Sequence, residues 1–243
     1  MNETMIEIRH LKKGFEDREV LKDINLDLHK GENLVILGRS GEGKSVTIQC
    51  IVGLMEYDDG TLKVFDQEVR ELEEEKLLEM RTKVGFLFQS GALYDSMTVR
   101  ENLEFPLKRV LNIRDGAELK KRVEEMLEAV GLEDAIDKMT PELSGGMRKR
   151  IGLARTLILK PAIMLYDEPT TGLDPISSRE ISELIVRLQK KYETSSIIIT
   201  HDMACAKITA DRLLVMHEGA FVAEGKYEEL EGSSDSYVHD FFV

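Results

Sequence analysis

The sequence has little cysteine and proline, no tryptophan and no long apolar run. Its 243 residues include two cysteines and five prolines. Cys50 and Cys205 lack metal-ligand spacing, which predicts two reduced, partly buried thiols rather than a disulfide. No apolar segment approaches the roughly 18–20 residues that cross a bilayer. Residues 1–7 lack the basic and apolar regions of a secretory signal, so we expect the chain to stay in the cytoplasm and to meet membranes only through a partner.

Positive charge is also scarce. The 33 lysines and arginines are outnumbered by 46 aspartates and glutamates, which gives a net charge of −13. Because phosphate backbones attract basic surfaces, this balance argues against a nucleic-acid partner, although a local basic patch is compatible with it. The proportions of 42% hydrophobic and 33% charged residues are those of a globular protein with one or two domains.

Short, nearly continuous apolar runs indicate a sheet that is covered on both faces. Such runs are typical of buried parallel strands. They occupy residues 33–37, 84–88, 162–166 and 195–200. Alternating or turn-bounded segments predict further strands and a last hairpin, at residues 6–11, 20–28, 60–69 and 213–224.

Residues 91–160 have a different, mostly helical character. One stripe of apolar side chains at helical spacing ends at Gly131, and core packing is the simplest explanation of it. The stripe consists of Leu119, Val123, Met126, Leu127 and Val130. The pattern predicts an α/β core with a helical subdomain inserted between about residues 90 and 160.

Residues 38–45 match the phosphate-loop pattern G-x-x-x-x-G-K-[ST]. They lie between an apolar strand and a helical segment, which is the context that the motif requires. Backbone N–H groups would surround the phosphates at the positive end of the helix. Lys44 would reach the β- and γ-phosphates of ATP, and the Ser45 hydroxyl would bind Mg²⁺. The predicted nucleotide contacts are Gly38, Arg39, Ser40, Gly41, Gly43, Lys44, Ser45 and Val46.

Polar side chains follow three of the predicted strands. Ligands in such sheets bind at the carboxyl ends of the strands. We therefore expect Asp167 to hold Mg²⁺ and Glu168 to polarise the attacking water. His201 would contact the γ-phosphate and the water, and Gln89 would contact Mg²⁺ or the water. The alternatives are a solvated acidic turn for the carboxylates and incidental polar residues at His201 and Gln89.

Residues 143–147, Leu-Ser-Gly-Gly-Met, predict a second phosphate site. Ser144 is placed to cap a helix, and Gly145 and Gly146 would let the backbone approach an anion. In a chain with one nucleotide pocket, a second phosphate site makes sense if it serves another subunit. The sequence therefore predicts a dimer.

These motifs, in this order over nearly the whole chain, resemble those of the ATP-binding-cassette (ABC) ATPases, and Leu-Ser-Gly-Gly is the most specific of them. The resemblance implies a head-to-tail homodimer with two ATP molecules at its interface. Each ATP would be held by one subunit's phosphate loop and by Ser144 and Gly146 of the other. The resemblance also implies that Asp174 lies between the two sites and that the Phe15 ring stacks on adenine.

The fold implied is an α/β phosphate-loop NTPase core with a parallel central sheet, an N-terminal antiparallel β-subdomain and an inserted α-helical subdomain. We expect residues 1–243 to form a single ABC ATPase domain. Its core would be residues 1–89 and 161–243, and its helical signature subdomain residues 90–160. The expected activity is Mg-ATP hydrolysis that drives a bacterial transporter at the cytoplasmic face of the plasma membrane.

Integral-membrane permease subunits are the expected partners of such a cassette. Leu93, Tyr94 and Met97 are candidates for permease contact, and packing within the helical subdomain is the alternative for them. A soluble ABC clamp in DNA repair or translation and a regulatory scaffold that binds ATP without turnover are the rival functions. The acidic segment from residue 232 onward is either a free end or a swap onto the neighbouring subunit.

A narrower resemblance is to the cassettes of bacterial lipid-trafficking transporters, the Mla type that works with MCE-domain proteins. Residues 88–93, Phe-Gln-Ser-Gly-Ala-Leu, resemble that group, and so does Met147, where most ABC ATPases have glutamine. The resemblance implies a phospholipid or another lipid as cargo and an MCE-domain protein in the complex. The alternative is a transporter cassette for a different cargo.

Overall fold

The computed structural model describes residues 3–16 and 18–242, so Met1, Asn2, Asp17 and Val243, which fall in segments considered above, lie outside the described part. Within it, ten strands form one mixed sheet. The strands are β1 (Thr4–Phe15), β2 (Arg18–His29), β3 (Asn33–Leu37), β4 (Asp59–Val64), β5 (Gln67–Glu68), β6 (Val84–Leu87), β7 (Ile163–Asp167), β8 (Ser195–Thr200), β9 (Arg212–His217) and β10 (Ala220–Gly225). Their order across the sheet is β5-β4-β1-β2-β10-β9-β3-β8-β7-β6.

The centre of the sheet is parallel, as the apolar runs predict. β3 pairs with β8 and β9, and β7 pairs with β6 and β8, all in parallel. Alternate residues of β3 enter two separate cores: Val35 and Leu37 pack on one face of the sheet, and Leu34 and Ile36 pack on the other. Burial on both faces explains why these strands have continuous rather than alternating apolar sequences.

The N-terminal part of the sheet is antiparallel. β1 pairs with β2 on one side and with β4 on the other, and β4 pairs with β5. This part joins the core where β10 runs parallel to β2, with Ala220 opposite Asp23. The mixed sheet with an antiparallel N-terminal part confirms the predicted fold class.

Nine α-helices accompany the sheet in the described part of the chain. They are α1 (Lys44–Ile51), α2 (Glu74–Lys83), α3 (Val99–Arg109), α4 (Gly116–Val130), α5 (Gly145–Leu157), α6 (Pro175–Tyr192), α7 (Met203–Thr209), α8 (Tyr227–Glu231) and α9 (Ser236–His239). None of them combines the length and hydropathy of a membrane-spanning segment. Three helices, α3 to α5, come between β6 and β7, while the domain limits at residues 89 and 161 stay a prediction.

Several local predictions can be compared with these elements. The apolar stripe of α4 is buried, and Gly131 ends the helix in the left-handed conformation with φ 68°. Cys50 and Cys205 are free thiols, and both are fully rather than partly buried. The segment after β10 contains α8 and α9, and residues 232–235 between them lie outside any helix.

Candidate nucleotide site

The phosphate loop joins β3 to α1 through glycines in the left-handed conformation. Gly41 has φ 84° and Gly43 has φ 105°, a region that favours glycine. A Cβ atom at Gly43 would lie 2.6 Å from the Leu21 side chain, so the loop also needs glycine for close packing on β2. Because glycine precedes α1, no side chain caps the first-turn N–H groups of this helix. These groups are therefore available to an anion.

Lys44 is buried beneath the loop. Its Nζ donates hydrogen bonds to the carbonyl oxygens of Gly38 at 2.7 Å and Arg39 at 2.9 Å. Burial lowers the pKa of Lys44, while the charges of Glu168, Glu42 and Asp167 oppose that effect. The side chain is thus a partly desolvated cation among carboxylates, well suited to pairing with phosphate oxygens.

Ser45 and Asp167 bring two oxygen donors together. The Ser45 hydroxyl in the first turn of α1 donates to Asp167 Oδ1 at the end of β7, at 3.0 Å. Burial raises the pKa of Asp167, and the hydrogen bond from Ser45 opposes the shift. A hydroxyl and a carboxylate are the hard oxygen ligands that Mg²⁺ prefers, so this donor set fits the predicted metal.

Glu168 and His201 are in contact at neighbouring strand ends. His201 Nδ1 lies 2.9 Å from Glu168 Oε2, and the Thr171 hydroxyl donates to the same oxygen at 3.2 Å. The side chain of Glu168 is 15% exposed, whereas that of His201 is 61% exposed. The backbone of Glu168 has φ 51°, and its N–H donates to Ile199 of β8. The turn after β7 thus fixes the carboxylate beside the end of β8.

A cleft of about 310 Å³ unites these groups. Gln89, which follows β6, reaches it as predicted, and Val20 of β2 and Thr171 are lining residues that the sequence did not predict. The lining residues are Val20, Ser40, Gly41, Gly43, Lys44, Ser45, Val46, Gln89, Asp167, Glu168, Thr171 and His201. The structure thus brings together most of the predicted catalytic, metal and phosphate-loop residues.

Some predicted site residues do not line this cleft. Gly38 and Arg39 contact Lys44 through their carbonyl groups. Phe15 ends β1, with its ring 43% exposed and the Lys13 ammonium 5.3 Å from the ring centroid. Asp174 caps α6, because its Oδ1 accepts the N–H groups of Ile176 and Ser177 at 3.0 Å. The hydrogen bonds from Ser177 hold the pKa of Asp174 below its usual value.

The second phosphate motif also lies outside the cleft, at the start of α5. Ser144 is the N-cap as predicted, and its hydroxyl accepts the Met147 N–H at 3.3 Å. Ser144 and Gly145 are exposed, and Gly146 is half-buried. The motif therefore presents a helix N-terminus to a ligand outside this chain's own cleft.

Lys149 is a site residue that the sequence analysis missed. It is 6% exposed, and its Nζ donates to the carbonyl oxygens of Gln89 at 2.5 Å and Glu168 at 3.2 Å. Burial lowers the pKa of Lys149, against the charges of Asp167 and Glu168. In the sequence it belongs to the basic run at residues 148–150, a pattern that is typical of a solvent-exposed helix face. A weak signal exists, because it lies four residues before buried Leu153 on the same face of α5.

Comparison with known proteins supports the interpretation of this cleft as a nucleotide-binding site. A family model described as ABC transporter matches residues 21–171, more than half of the chain. This chain belongs to the ABC transporter family. It is the ATPase subunit of an ABC transporter.

The names of three curated relatives state three different cargoes. The methionine import ATP-binding protein MetN of Campylobacter jejuni is 36% identical, over 93% of this chain and 72% of that protein. The probable ribonucleotide transport ATP-binding protein mkl of Mycobacterium leprae is 37% identical, over 97% and 68%. The intermembrane phospholipid transport system ATP-binding protein MlaF of Haemophilus influenzae is 36% identical, over 99% and 91%. Because the identities are nearly equal, they establish the family and not the Mla subtype.

Two solved structures share the fold over most of both chains. The ATP-binding cassette MJ0796, a dimer in a post-hydrolysis state with ADP and Pi, superposes with a TM-score of 0.82 and 30% identity, covering 91% of this chain and 98% of that one. The protein cbiO1 from Clostridium perfringens is part of the ABC transporter complex cbiONQ. It superposes with a TM-score of 0.86 and 30% identity, covering 93% of this chain and 90% of that one.

Proposed function

We propose that this chain binds Mg-ATP in the cleft beside the phosphate loop and hydrolyses it there. The observation that carries the proposal is the convergence of Lys44, Ser45, Asp167, Glu168 and His201 on one cleft. A buried cation, paired oxygen ligands for Mg²⁺ and a carboxylate base are groups that phosphoryl transfer uses. The imidazole can contact the γ-phosphate beside them. The nucleotide's phosphates would rest on the backbone of residues 38–46.

Lys44 would exchange the two loop carbonyls that it contacts for β- and γ-phosphate oxygens. Ser45, Asp167 and Gln89 would hold Mg²⁺, which when bound neutralises the charge of these phosphates. The adenine would lie beyond the cleft against the exposed Phe15 ring, which supplies a stacking surface without a hydroxyl.

Glu168 is the proposed general base. The His201 and Thr171 contacts hold its carboxylate at the cleft, where it would orient the attacking water and accept its proton. Because Nδ1 of His201 is engaged by Glu168, Nε2 of the same ring is left to contact the γ-phosphate. Each residue of the pair thus has a distinct role.

A second copy of the chain is proposed to complete each site. Ser144, Gly145 and Gly146 lie outside the chain's own cleft, at the N-terminus of a 13-residue helix, so the nucleotide they bind belongs to another subunit. Asp174 would lie at this interface beside Ile176, which is 74% exposed. The dimeric state of MJ0796, with its ADP and Pi, supports this arrangement.

We further infer that a permease holds the dimer at the cytoplasmic face of the plasma membrane. Phe88 and Tyr94 are 40% and 41% exposed on the segment after β6, whereas Leu93 packs against the core. We therefore assign Phe88 and Tyr94 to permease contact and Leu93 to internal packing. The membership of cbiO1 in a transporter complex supports a permease partner.

The proposed cargo is a phospholipid or another lipid, delivered through an MCE-domain protein in the same complex. Met147 and the Phe-Gln-Ser-Gly-Ala-Leu segment at residues 88–93 support this choice, together with the similarity to MlaF over nearly all of both chains. The similarity to MetN favours methionine import as the second candidate.

The cargo can be identified on the intact complex. The tagged chain is purified from membranes, its partners are identified, and bound small molecules are analysed by mass spectrometry, with untagged membranes as the control. We expect permease subunits, an MCE-domain protein and co-purified phospholipid. Recovery of methionine or another hydrophilic cargo would overturn the lipid assignment and leave the ATPase assignment intact.

A further inference from the structure

Glu42 places a carboxylate within the phosphate loop itself. It lies two residues before Lys44, and its side chain is only 13% exposed. Burial lowers the pKa of Lys44, and the negative charge of Glu42 opposes that effect, as the charges of Glu168 and Asp167 also do. A carboxylate in this position competes with phosphate for the same cation unless other groups hold it.

Three groups hold the Glu42 carboxylate on the outer side of the loop. Oε1 accepts a hydrogen bond from the Tyr237 hydroxyl at 2.7 Å and lies 3.2 Å from His217 Nδ1. Oε2 accepts the backbone N–H of Arg39 at 3.2 Å. Tyr237 belongs to α9 and His217 ends β9, so the segment after β10 folds back onto the loop of its own chain.

The ring of Tyr237 is fixed by its neighbours. It packs on the His217 ring with the centroids 3.8 Å apart, and on the edge of Phe241 at 5.4 Å. The Arg39 guanidinium lies 5.3 Å from the ring centroid. Burial and the bond to Glu42 raise the pKa of Tyr237, so its hydroxyl remains a donor at neutral pH. Since a hydroxyl has one hydrogen, the 2.7 Å contact to Glu42 takes it in preference to the 3.3 Å contact to the Met216 carbonyl.

We propose that Tyr237 is a positioning residue for ATP binding, because it holds the Glu42 carboxylate away from the phosphates and leaves Lys44 free to pair with them. This inference rests on the proposed binding of ATP by the loop. Without the hydroxyl, Glu42 keeps only His217 and the Arg39 N–H. The charge of Glu42 already acts on Lys44, so this ammonium is a cation that can replace the lost partner. Lys44 would then be shared between Glu42 and the nucleotide.

The test is a double-mutant cycle with Mg-AMP-PNP titrated by calorimetry. Tyr237→Phe removes one oxygen and keeps the ring packing, and we expect the Kd to rise about tenfold, with kcat at saturating ATP within about twofold. In the Glu42→Gln background, the same substitution should leave the Kd unchanged. Tyr227→Phe is the matched control, since that ring in α8 packs edge-on against Phe242 at 5.1 Å.

Two results would overturn the inference: an unchanged Kd in Tyr237→Phe, or an equal loss in the Glu42 and Glu42→Gln backgrounds. The melting temperature of each variant without nucleotide shows whether folding is intact. Lys44→Ala separates this inference from the proposed function. If Lys44→Ala binds Mg-AMP-PNP as tightly as the wild type, the assignment of the loop is wrong, whatever Tyr237 does.

Discussion

At the scale of single residues, Lys149 connects α5 to the backbone of Gln89 and of Glu168. It belongs to α5, the helix that begins at the second phosphate motif, and it holds the carbonyl oxygens of Gln89 and Glu168. The backbone positions of the proposed water-contacting residue and of the proposed base therefore depend on one buried ammonium group. A buried cation that makes only backbone contacts is costly to keep, so its position calls for a functional explanation.

Lys149→Met should lower kcat by about tenfold or more with little change in the Kd for ATP, because the phosphate loop is untouched while Glu168 loses its support. Lys149→Gln keeps one N–H donor and should retain more of kcat than Lys149→Met. Steady-state hydrolysis and nucleotide titration measure the two effects. Lys190→Met, on the exposed side of α6, is the control. A change in Kd as large as the change in kcat would indicate a merely structural role.

The residues that sequence alone predicted are those whose chemistry is contained in a short segment. The phosphate loop, the Asp167-Glu168 pair and the Ser144 cap each carry the pattern that predicts their role within a few consecutive residues. Lys149, Tyr237 and Val20 do not, because their partners lie far away in the chain. The hydroxyl of Tyr237 and the carboxylate of Glu42 are separated by 195 residues, and no local pattern reports such a contact.

At the scale of elements, Arg212 fastens the antiparallel part of the sheet to the core. From the start of β9 its guanidinium forms two hydrogen bonds with Glu32, at 2.7 and 3.1 Å. It also donates to Glu224 of β10 and to the Asp27 carbonyl of β2, both at 2.5 Å. The side chains of Arg212 and Glu32 are 21% and 13% exposed, so this network is largely shielded from water.

Arg212→Met should lower the free energy of unfolding by about 2 kcal/mol, since it leaves Glu32 partly buried without its partner. Burial alone would raise the pKa of Glu32, but the hydrogen bonds from Arg212 and the His29 N–H hold it below its usual value. The stabilisation is therefore present above the unfolded pKa of about 4.5 and is lost as the pH falls through the lower folded pKa.

Urea unfolding at several pH values measures this effect. The difference in unfolding free energy between wild type and Arg212→Met should be constant near pH 7 and shrink below about pH 4.5. Arg179→Met breaks an exposed pair with Glu183 and should change the unfolding free energy little. A difference that grows on acidification would contradict the account of Glu32.

Elements with a strong internal pattern were predictable, and the others depended on tertiary contacts. β3 and β8 have the predicted limits, because their burial on both faces gives an unbroken apolar run. α8 and α9 have five and four residues, too few for a helical periodicity to show. The order of strands across the sheet is also beyond local patterns, since it places β10 beside β2 through a single residue pair.

At the scale of the whole molecule, the proposed catalytic site is divided between two surfaces. The cleft with Lys44 and Glu168 lies at the carboxyl ends of the parallel strands, whereas Ser144 lies at the start of α5, outside that cleft. A single chain therefore contains both halves of the proposed site, but the two halves lie apart on its surface. We therefore expect ATP binding and chain dimerisation to be one coupled event.

The most direct test of this central claim is the mass of the purified chain in solution with Mg-ATP, measured by light scattering after gel filtration. Glu168→Gln should bind ATP without turnover and accumulate as a dimer, with twice the 27.6 kDa of one chain. The double variant Glu168→Gln with Ser144→Arg should still bind ATP and remain at 27.6 kDa. A double variant that dimerises as readily as Glu168→Gln would contradict the shared site.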